Sequence, residues 1–156
     1  MDVKSKALTR PAALAAALAL LFIAAPPALG GGSDSIGAAA PSTTWHFAEG
    51  TTRQGFDTYL CVENPNHTEA GVTFTYLLGD GPPLERKHAI PARSRFTVDL
   101  KNEIGEGADV SAFLKSDLPV VAERPMYFRY QDRIQGGHDS IGAAAPSTTW
   151  HFAEGT

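Results

Sequence analysis

The side chains best suited to chemistry lie in the last long apolar stretch of the chain, where Glu123 and Arg124 interrupt a run that otherwise reads as a β-strand. One hypothesis is that this carboxylate and guanidinium bind a sugar or a peptide. The alternative is a structural arginine, whose rigid fork of donors suits several backbone carbonyls at the end of a β-sandwich. The residue types favour the structural role, and Arg124 is kept as a candidate ligand contact.

Two histidine–carboxylate pairs are weaker candidates. His46 and Glu49 could face one site, but in a strand His46 points away from the neighbouring Trp45 and Phe47, so we expect it on the solvent side. His138 and Asp139 are adjacent, and adjacent strand residues point to opposite faces. Neither pair predicts a metal site.

Motifs of known catalytic and cofactor sites are missing from the sequence. It has no nucleophile elbow, Walker loop, Rossmann fingerprint, zinc-type Cys/His spacing or EF-hand loop. Gly79–Gly81 resembles a calcium loop superficially, but prolines follow where oxygen donors would be needed, so a hairpin turn is predicted. We therefore expect no catalytic, cofactor-binding or metal-binding residues and no enzymatic activity.

The single cysteine, Cys61, excludes a disulfide scaffold. It lies in the apolar run Tyr59–Val62, so we expect a buried thiol that packs as a small hydrophobic side chain.

The amino terminus is typical of a secretory signal. Lys4, Lys6 and Arg10 precede an uncharged Ala/Leu-rich stretch of 14 residues, 12–25, and small residues follow at Ala28 and Gly30. That stretch is short for a membrane span, which needs about 20 residues. The sequence predicts a signal peptide at 1–30, cleavage after Gly30, no membrane segment in the mature chain, and a secreted or cell-surface protein.

Cleavage would leave 10 basic and 16 acidic residues, a formal charge of −6. The remaining basic residues are scattered along the chain. Because nucleic acid binding needs a clustered basic surface, a nucleic acid partner is not expected.

The sequence contains a long internal duplication. Residues 31–51 recur at 136–156, and only Ser33, matched by His138, differs. A fixed period of 105 residues indicates a repeated unit of domain size. The predicted organisation is a signal peptide at 1–30, a linker or end of the repeat pattern at 31–42, one β-sandwich repeat at 43–142, and a linker with the first strand of an incomplete second repeat at 143–156.

Between the two copies the apolar residues alternate with a period close to two, and turn residues interrupt them every 8 to 14 positions. Seven strands are predicted, with a loop or one helical turn at 101–109 and an edge or bulge at Pro125. This favours an all-β fold, an antiparallel immunoglobulin-like β-sandwich of about seven strands. Its expected core comprises Trp45, Phe47, Leu60, Val62, Phe74, Tyr76, Phe96, Val98 and Phe128.

Four segments together carry a resemblance to a family. They are Thr44–Thr51, Tyr59–Asn66, Ser94–Val98 and Asp117–Phe128. The chain resembles an uncharacterised tandem repeat of bacterial secreted and cell-surface proteins, whose units open with Trp-x-Phe-Ala-Glu-Gly-x-Thr and close with a strand like Glu-Arg-Pro-Met-Tyr-Phe. The resemblance covers about residues 43–142. It implies extracellular β-sandwich repeats in multi-domain chains and assigns no catalytic residues.

Two functions follow as hypotheses. The first is a non-catalytic extracellular structural or adhesive repeat module of a larger bacterial surface or secreted protein, with neighbouring repeats or other surface proteins as partners. The alternative is a carbohydrate-binding accessory module of a secreted enzyme, for which the candidate ligand contacts are Tyr59, Arg124 and Tyr127. Exposed coplanar aromatic side chains would favour the carbohydrate hypothesis.

The duplication makes a structural prediction of its own. Both copies can form the Trp-x-Phe strand, but the chain has one body, residues 52–135, to receive it. We expect Trp45 to be buried and Trp150 exposed, with Trp150 and Phe152 as candidate contacts to another repeat. Either the chain is part of a longer array, or the spare strand enters a neighbouring subunit and builds a head-to-tail polymer.

Overall fold

The computed structural model describes residues 29–31, 33, 35–131 and 133–152. The predicted signal peptide lies outside these residues except for its last two positions.

Nine strands and one short helix make up the described chain. In order they are β1 (Leu29–Gly31), β2 (Ser42–Phe47), β3 (Phe56–Asn64), β4 (Ala70–Leu78), β5 (Leu84–Ile90), β6 (Ser94–Asp99), α1 (Leu100–Ile104), β7 (Val110–Glu123), β8 (Met126–Tyr130) and β9 (Ile134–His138). All pairings are antiparallel except that of β1 with β9, which is parallel. The predicted all-β antiparallel sandwich is confirmed.

Strand β7 holds the two layers of the sandwich together. Its first half pairs with β4 and with β2, and its last residues pair with β3. Strand β4 continues to β5, while β3 also pairs with β6 and β8, and β8 continues to β9 and β1. Since buried side chains from both groups of strands form one core, the sheet closes over itself.

The sequence predicts two strands, 110–115 and 120–130, where the structure has one long β7 that ends before Pro125 and a separate β8. Pro119 does not break β7, because the pairing with β2 shifts register between Ser42 and Thr44, close to the proline. A residue without a backbone N–H is tolerated at such an irregularity. The strand ends before Pro125, where the sequence predicts an irregularity.

The core follows from strict alternation along the strands. In β4, Ala70, Val72, Phe74 and Tyr76 are buried while the residues between them are not. Seven of the nine residues predicted for the core are buried. Phe96 is half-buried against that core, and Phe128 is half-buried beside Phe56, 6.3 Å away between ring centroids.

Phe128 lies outside the main core although the alternation continues through Pro125, since Ala122, Arg124 and Met126 are all buried. It lies on β8, whose partners are β9 and the first residues of β3. The ring of Phe128 instead covers Gly136 of β9, where an added Cβ would lie 2.8 Å from Phe128 Cζ.

The prediction of a buried Cys61 is wrong. Leu60 and Val62 point into the core, so the alternation of β3 turns Cys61 to the outer face, where it is half-buried. Its Sγ lies 3.6 Å from Thr97 Oγ1 on the adjacent β6.

The helix α1 is the single helical turn that the sequence allowed within 101–109. Asp99 caps it, because its carboxylate accepts a hydrogen bond of 2.9 Å from the backbone N–H of Lys101. Gly105, at φ 84°, ends it in a conformation that favours glycine.

Candidate functional site

Two of the predicted ligand contacts, Tyr59 and Tyr127, lie together on the outer face of the sheet. Their ring centroids are 6.2 Å apart at an interplanar angle of 66°. They line a shallow cavity of about 430 Å³. Tyr127 is 57% exposed. The two rings meet edge to face, so they do not form the coplanar platform on which a sugar ring would stack across both.

Polar side chains complete this cavity, which we call the tyrosine cavity. They are Cys61, Arg95, Thr97, Glu123 and Asp139. Burial, and then the negative charge of Asp139, raises the pKa of the Glu123 carboxyl above its ordinary value. Oδ1 of Asp139 is buried and has no hydrogen-bond partner among the described residues. The cavity therefore brings two acidic groups together at a site where one of them holds its proton more tightly than usual.

The sequence pattern did not predict this acidic pair. Glu123 and Asp139 are 16 positions apart, and they meet because Glu123 forms an isolated β-bridge with Ile141 after β9. No spacing along one strand indicates such a contact. The tyrosine hydroxyl next to it is affected too: burial, followed by the charges of Asp99 and Asp57, raises the pKa of Tyr59.

Arg124, the third candidate ligand contact, points away from the tyrosine cavity into the domain. It is 6% exposed, and its Nη1 donates a hydrogen bond of 3.0 Å to the backbone carbonyl of Glu49. Its Nη2 lies 3.4 Å from Nδ1 of His138. Burial lowers the pKa of Arg124, and the charge of Glu49 opposes that effect. The structure thus places Arg124 apart from the two tyrosines, with its guanidinium bonded to a backbone carbonyl.

The weaker candidate pairs do not form a site either. The ring of His46 packs against Phe113, with 4.6 Å between ring centroids and an interplanar angle of 33°, and is half-buried, not fully in solvent. Glu49 is exposed and reaches Arg124, with Oε2 3.7 Å from Nη1. Within the described residues, no group of three or more His, Cys, Asp or Glu side chains is arranged to hold a metal ion.

The sequence pattern did not predict a polar cluster at α1 either. His88 Nε2 lies 3.2 Å from Glu103 Oε1, and the hydroxyl of fully buried Tyr76 has no hydrogen-bond partner in the described part of the chain. Burial, and then the charge of Glu103, raises the pKa of Tyr76. Tyr76 belongs to the hydrophobic core, and His88 and Glu103 lie half-buried at its boundary.

A second surface is formed by the carboxyl-terminal copy of the duplicated segment. Trp150 and Phe152 are 56% and 86% exposed and border a groove of about 670 Å³. On its other side the groove is lined by His46, Leu77, Phe113 and Ile141. Leu77 is itself 46% exposed, so this is an apolar surface open to solvent. We call it the junction groove.

The two copies of the duplicated segment have reciprocal environments. In the first copy, Trp45 and Phe47 are 3% and 5% exposed, and Trp45 Nε1 donates a hydrogen bond of 2.9 Å to the carbonyl of Val120. In the second copy, the corresponding Trp150 is exposed and its Nε1 donates to the nearby carbonyl of Ser147. The prediction that Trp45 is buried and Trp150 exposed is confirmed.

The first halves of the copies show the opposite pattern. Ile141 packs against the core, whereas its counterpart Ile36 is 88% exposed. Gly142 is buried so closely that an added Cβ would lie 2.8 Å from Phe47 Cζ, while the counterpart Gly37 has nothing within 4 Å. Each copy therefore packs a different pair of residues against the core, Trp45 and Phe47 from the first and Ile141 and Gly142 from the second. The first half of the first copy also contacts the domain, because Gly31 pairs with Gly136 and the hydroxyl oxygen of Ser33 accepts a hydrogen bond of 3.3 Å from the backbone N–H of Asp139.

The parts of the two copies that pack against the core lie side by side. His46 of the first copy and Ala143 of the second exchange two backbone hydrogen bonds, of 2.8 and 3.0 Å. The hydroxyl of Thr44 also donates a bond of 2.7 Å to the carbonyl of Ala144. We call Ser42–Phe47 the opening strand and residues 136–143 the closing segment.

Comparison of the sequence with protein families and with curated proteins gives no match. Among solved structures, the chain is similar to the Thermotoga maritima protein 1070, with a TM-score of 0.61 and 21% identity over 66% of this chain and 94% of that one. This likeness concerns the fold alone. The chain also has a likeness to the Anabaena sensory rhodopsin transducer, with a TM-score of 0.49 and 26% identity over 59% of this chain and 99% of that one, too distant to bear on function.

In the described chain, no helix has the length and apolar character needed to cross a membrane.

Proposed function

We propose that this chain is a non-catalytic structural or adhesive repeat module of a larger bacterial secreted or cell-surface protein. The observation that carries the proposal is the reciprocal use of the duplicated segment. The domain takes its opening strand from the first copy and its closing segment from the second. The second copy also carries a spare copy of the opening-strand sequence, residues 147–152, which forms no strand in the described structure and leaves Trp150 and Phe152 exposed. Such an arrangement is what a tandem repeat needs, because one copy can end a unit and begin the next.

The proposed location outside the cell rests on the sequence. The basic start, the short apolar stretch and the small residues before Gly31 are those of a cleaved export signal. A domain of this size with one free cysteine depends on its buried core for stability and not on disulfides, and the core described above supplies that.

A two-unit chain tests the proposal. Residues 52–142 are added after Thr156, so that the second copy is followed by a second body. We expect Trp150 to become buried, with its fluorescence emission shifted to shorter wavelength, and both bodies to unfold with the stability of the single unit. An added body that unfolds while Trp150 stays in solvent would contradict the proposal.

A carbohydrate-binding accessory module is the second candidate. The observation that favours it is the half-exposed Tyr127 ring beside Glu123, Asp139 and Arg95 in the tyrosine cavity, since sugar binding sites combine an aromatic face with side chains that hydrogen-bond hydroxyl groups. Screening the chain and a Tyr127→Ala variant on a glycan array tests it. Binding that the substitution abolishes would support this function, and no binding by the unaltered chain would exclude it for the sugars displayed.

A further inference from the structure

The spare opening strand raises the question of what covers it. Residues 147–152 repeat the sequence of residues 42–47, Ser-Thr-Thr-Trp-His-Phe, without a change. The site that accepts this sequence is known from the structure, because β2, which has the same sequence, occupies it. We propose that residues 147–152 of one chain replace β2 in a second copy of this chain and so join the two domains head to tail. This inference rests on the proposed function and names the partner of the junction.

The first argument is the position of β2 in the fold. It pairs with β7 on one side only, through Thr44–Phe47 opposite Ala112–Lys115, and on the other side it touches the closing segment at one bridge. A strand at such an edge can be exchanged without breaking the pairing of any other two strands.

The second argument is that the incoming strand reproduces each specific contact of β2. Trp150 would donate its indole N–H to the Val120 carbonyl, as Trp45 does at 2.9 Å. Phe152 would pack on Gly142, where Phe47 now lies. Thr149 would donate its hydroxyl to the Ala144 carbonyl, as Thr44 does at 2.7 Å. All of these acceptors and contacts belong to the receiving chain and are present in it already.

The third argument is that the spare strand has no such site in its own chain. The closing segment runs antiparallel to β2 and leaves the domain beside Thr44. Residues 144–152 then run along the surface beside the occupied edge, so that Trp150 and Phe152 border the junction groove together with His46. The exposure of Phe152, 86%, is the result.

Exchange has to compete with the strand that is already in place. The first copy is tied to β3 by a short loop, which gives β2 an effective concentration on the order of millimolar at its own site. The unaltered chain therefore stays closed and monomeric at micromolar concentration. Weakening β2 without altering residues 147–152 shifts the balance toward exchange.

The Trp45→Phe variant does this and supplies its own readout. The substitution keeps an aromatic side chain but removes the hydrogen bond to Val120, which favours exchange by about tenfold. Because the chain has two tryptophans, Trp150 becomes the sole source of indole fluorescence. The measurement follows emission and sedimentation of the full chain from about 1 µM to about 1 mM, a range that spans the effective concentration of β2.

We expect Trp150 emission to shift to shorter wavelength as dimers and larger species appear. The matched control combines Trp45→Phe with Phe152→Ser and should stay monomeric with solvent-like emission. A second control, Ile36→Ser in the Trp45→Phe chain, removes an equally exposed apolar side chain outside the exchanged strand and should associate like its parent. Emission that stays solvent-like at every concentration in a folded Trp45→Phe chain would overturn the proposal, as would association that survives Phe152→Ser.

A second measurement decides the matter should Trp45→Phe fail to fold. His46 and Phe113 are register partners between β2 and β7, so His151 meets Phe113 of the partner after exchange. In a Cys61→Ser background at about 1 mM chain, a concentration that matches the effective concentration of β2 at its own site, His151→Cys combined with Phe113→Cys should then form disulfides between chains on oxidation. Disulfides within single chains alone would overturn the exchange. The two-unit chain described above remains a separate test, since burial of Trp150 there supports the repeat module even where exchange between chains fails.

Discussion

The two copies of the duplicated segment differ at one position in 21, and yet corresponding residues of the two copies have different burial. The first copy buries Trp45 and Phe47 and leaves Ile36 in solvent, while the second packs Ile141 and Gly142 and leaves Trp150 and Phe152 in solvent. Local sequence preferences are the same in both copies, so they cannot account for the difference. The neighbouring strands determine which residues are buried. The opening strand pairs with β7, and the closing segment pairs with β2 and β8. Strand propensity is a fit to surroundings, and here the same residues meet two surroundings.

The sharpest way to break this comparison is to truncate the matched tryptophans. Trp45→Ala should lower the free energy of unfolding by about 3–5 kcal/mol, because a large buried ring leaves a cavity. Trp150→Ala should change it by less than about 0.5 kcal/mol, as exposed substitutions do. Urea unfolding of the two variants measures both. Equal losses would mean that the second copy is packed as tightly as the first.

A pair of glycines sharpens the comparison for the closing segment. Gly142→Val should cost about 1–3 kcal/mol, since its side chain would collide with the rings of Phe47 and Trp45. Gly37→Val, in the same sequence context, has open space around it and should leave the stability unchanged. Thermal unfolding followed by circular dichroism tests the pair, and a Gly37→Val loss as large as that of Gly142→Val would contradict the assignment of halves.

The smallest expected effect concerns the acidic pair that the closing segment creates. The pKa of Glu123 is raised in the folded chain, so the folded state binds its proton more tightly than the unfolded state does. The stabilising contribution of Glu123 is therefore complete below pH 4.5, the ordinary pKa of its carboxyl group. It is lost as the pH rises from 4.5 through the raised pKa of the folded chain.

Glu123→Gln should therefore stabilise the chain at neutral pH, and the gain should disappear below about pH 4. Unfolding midpoints across this range measure it, with Glu69→Gln on an exposed loop as the control. A gain that persists unchanged in acid would show that the carboxyl charge is not its source.

Much of the fold was predictable because one physical signal dominates it. The alternation in Ala70–Leu78 identifies both the strand and its buried face, and the same reasoning gave Leu60, Val62 and Val98. The prediction for Cys61 is wrong because it rests on the apolar composition of Tyr59–Val62, whereas the alternation along β3 determines which face Cys61 occupies. The reasoning failed for Phe128 because β8 pairs with β9 and the first residues of β3, which places Phe128 beside Phe56 and over Gly136 instead of in the main core.

The candidate site was less predictable, for a reason that the acidic pair shows. Tyr59 and Tyr127 meet because β3 and β8 pair, and Glu123 meets Asp139 through a single bridge after β9. These are contacts between distant parts of the chain, and a single sequence carries no record of which strands will be neighbours. The exposure of Trp150 was predictable because it needed only a count: two identical strands and one body.

The hydrogen bonds between His46 and Ala143 also determine how the domain would respond to a pulling force. The start of β2 and the end of the closing segment, beside Thr44, lie at the same end of one antiparallel pair. Tension applied at these two points would load the hydrogen bonds between them one after another instead of all together. In the proposed array of repeats, each boundary would yield first, at low force and one domain at a time, and so would dissipate mechanical work.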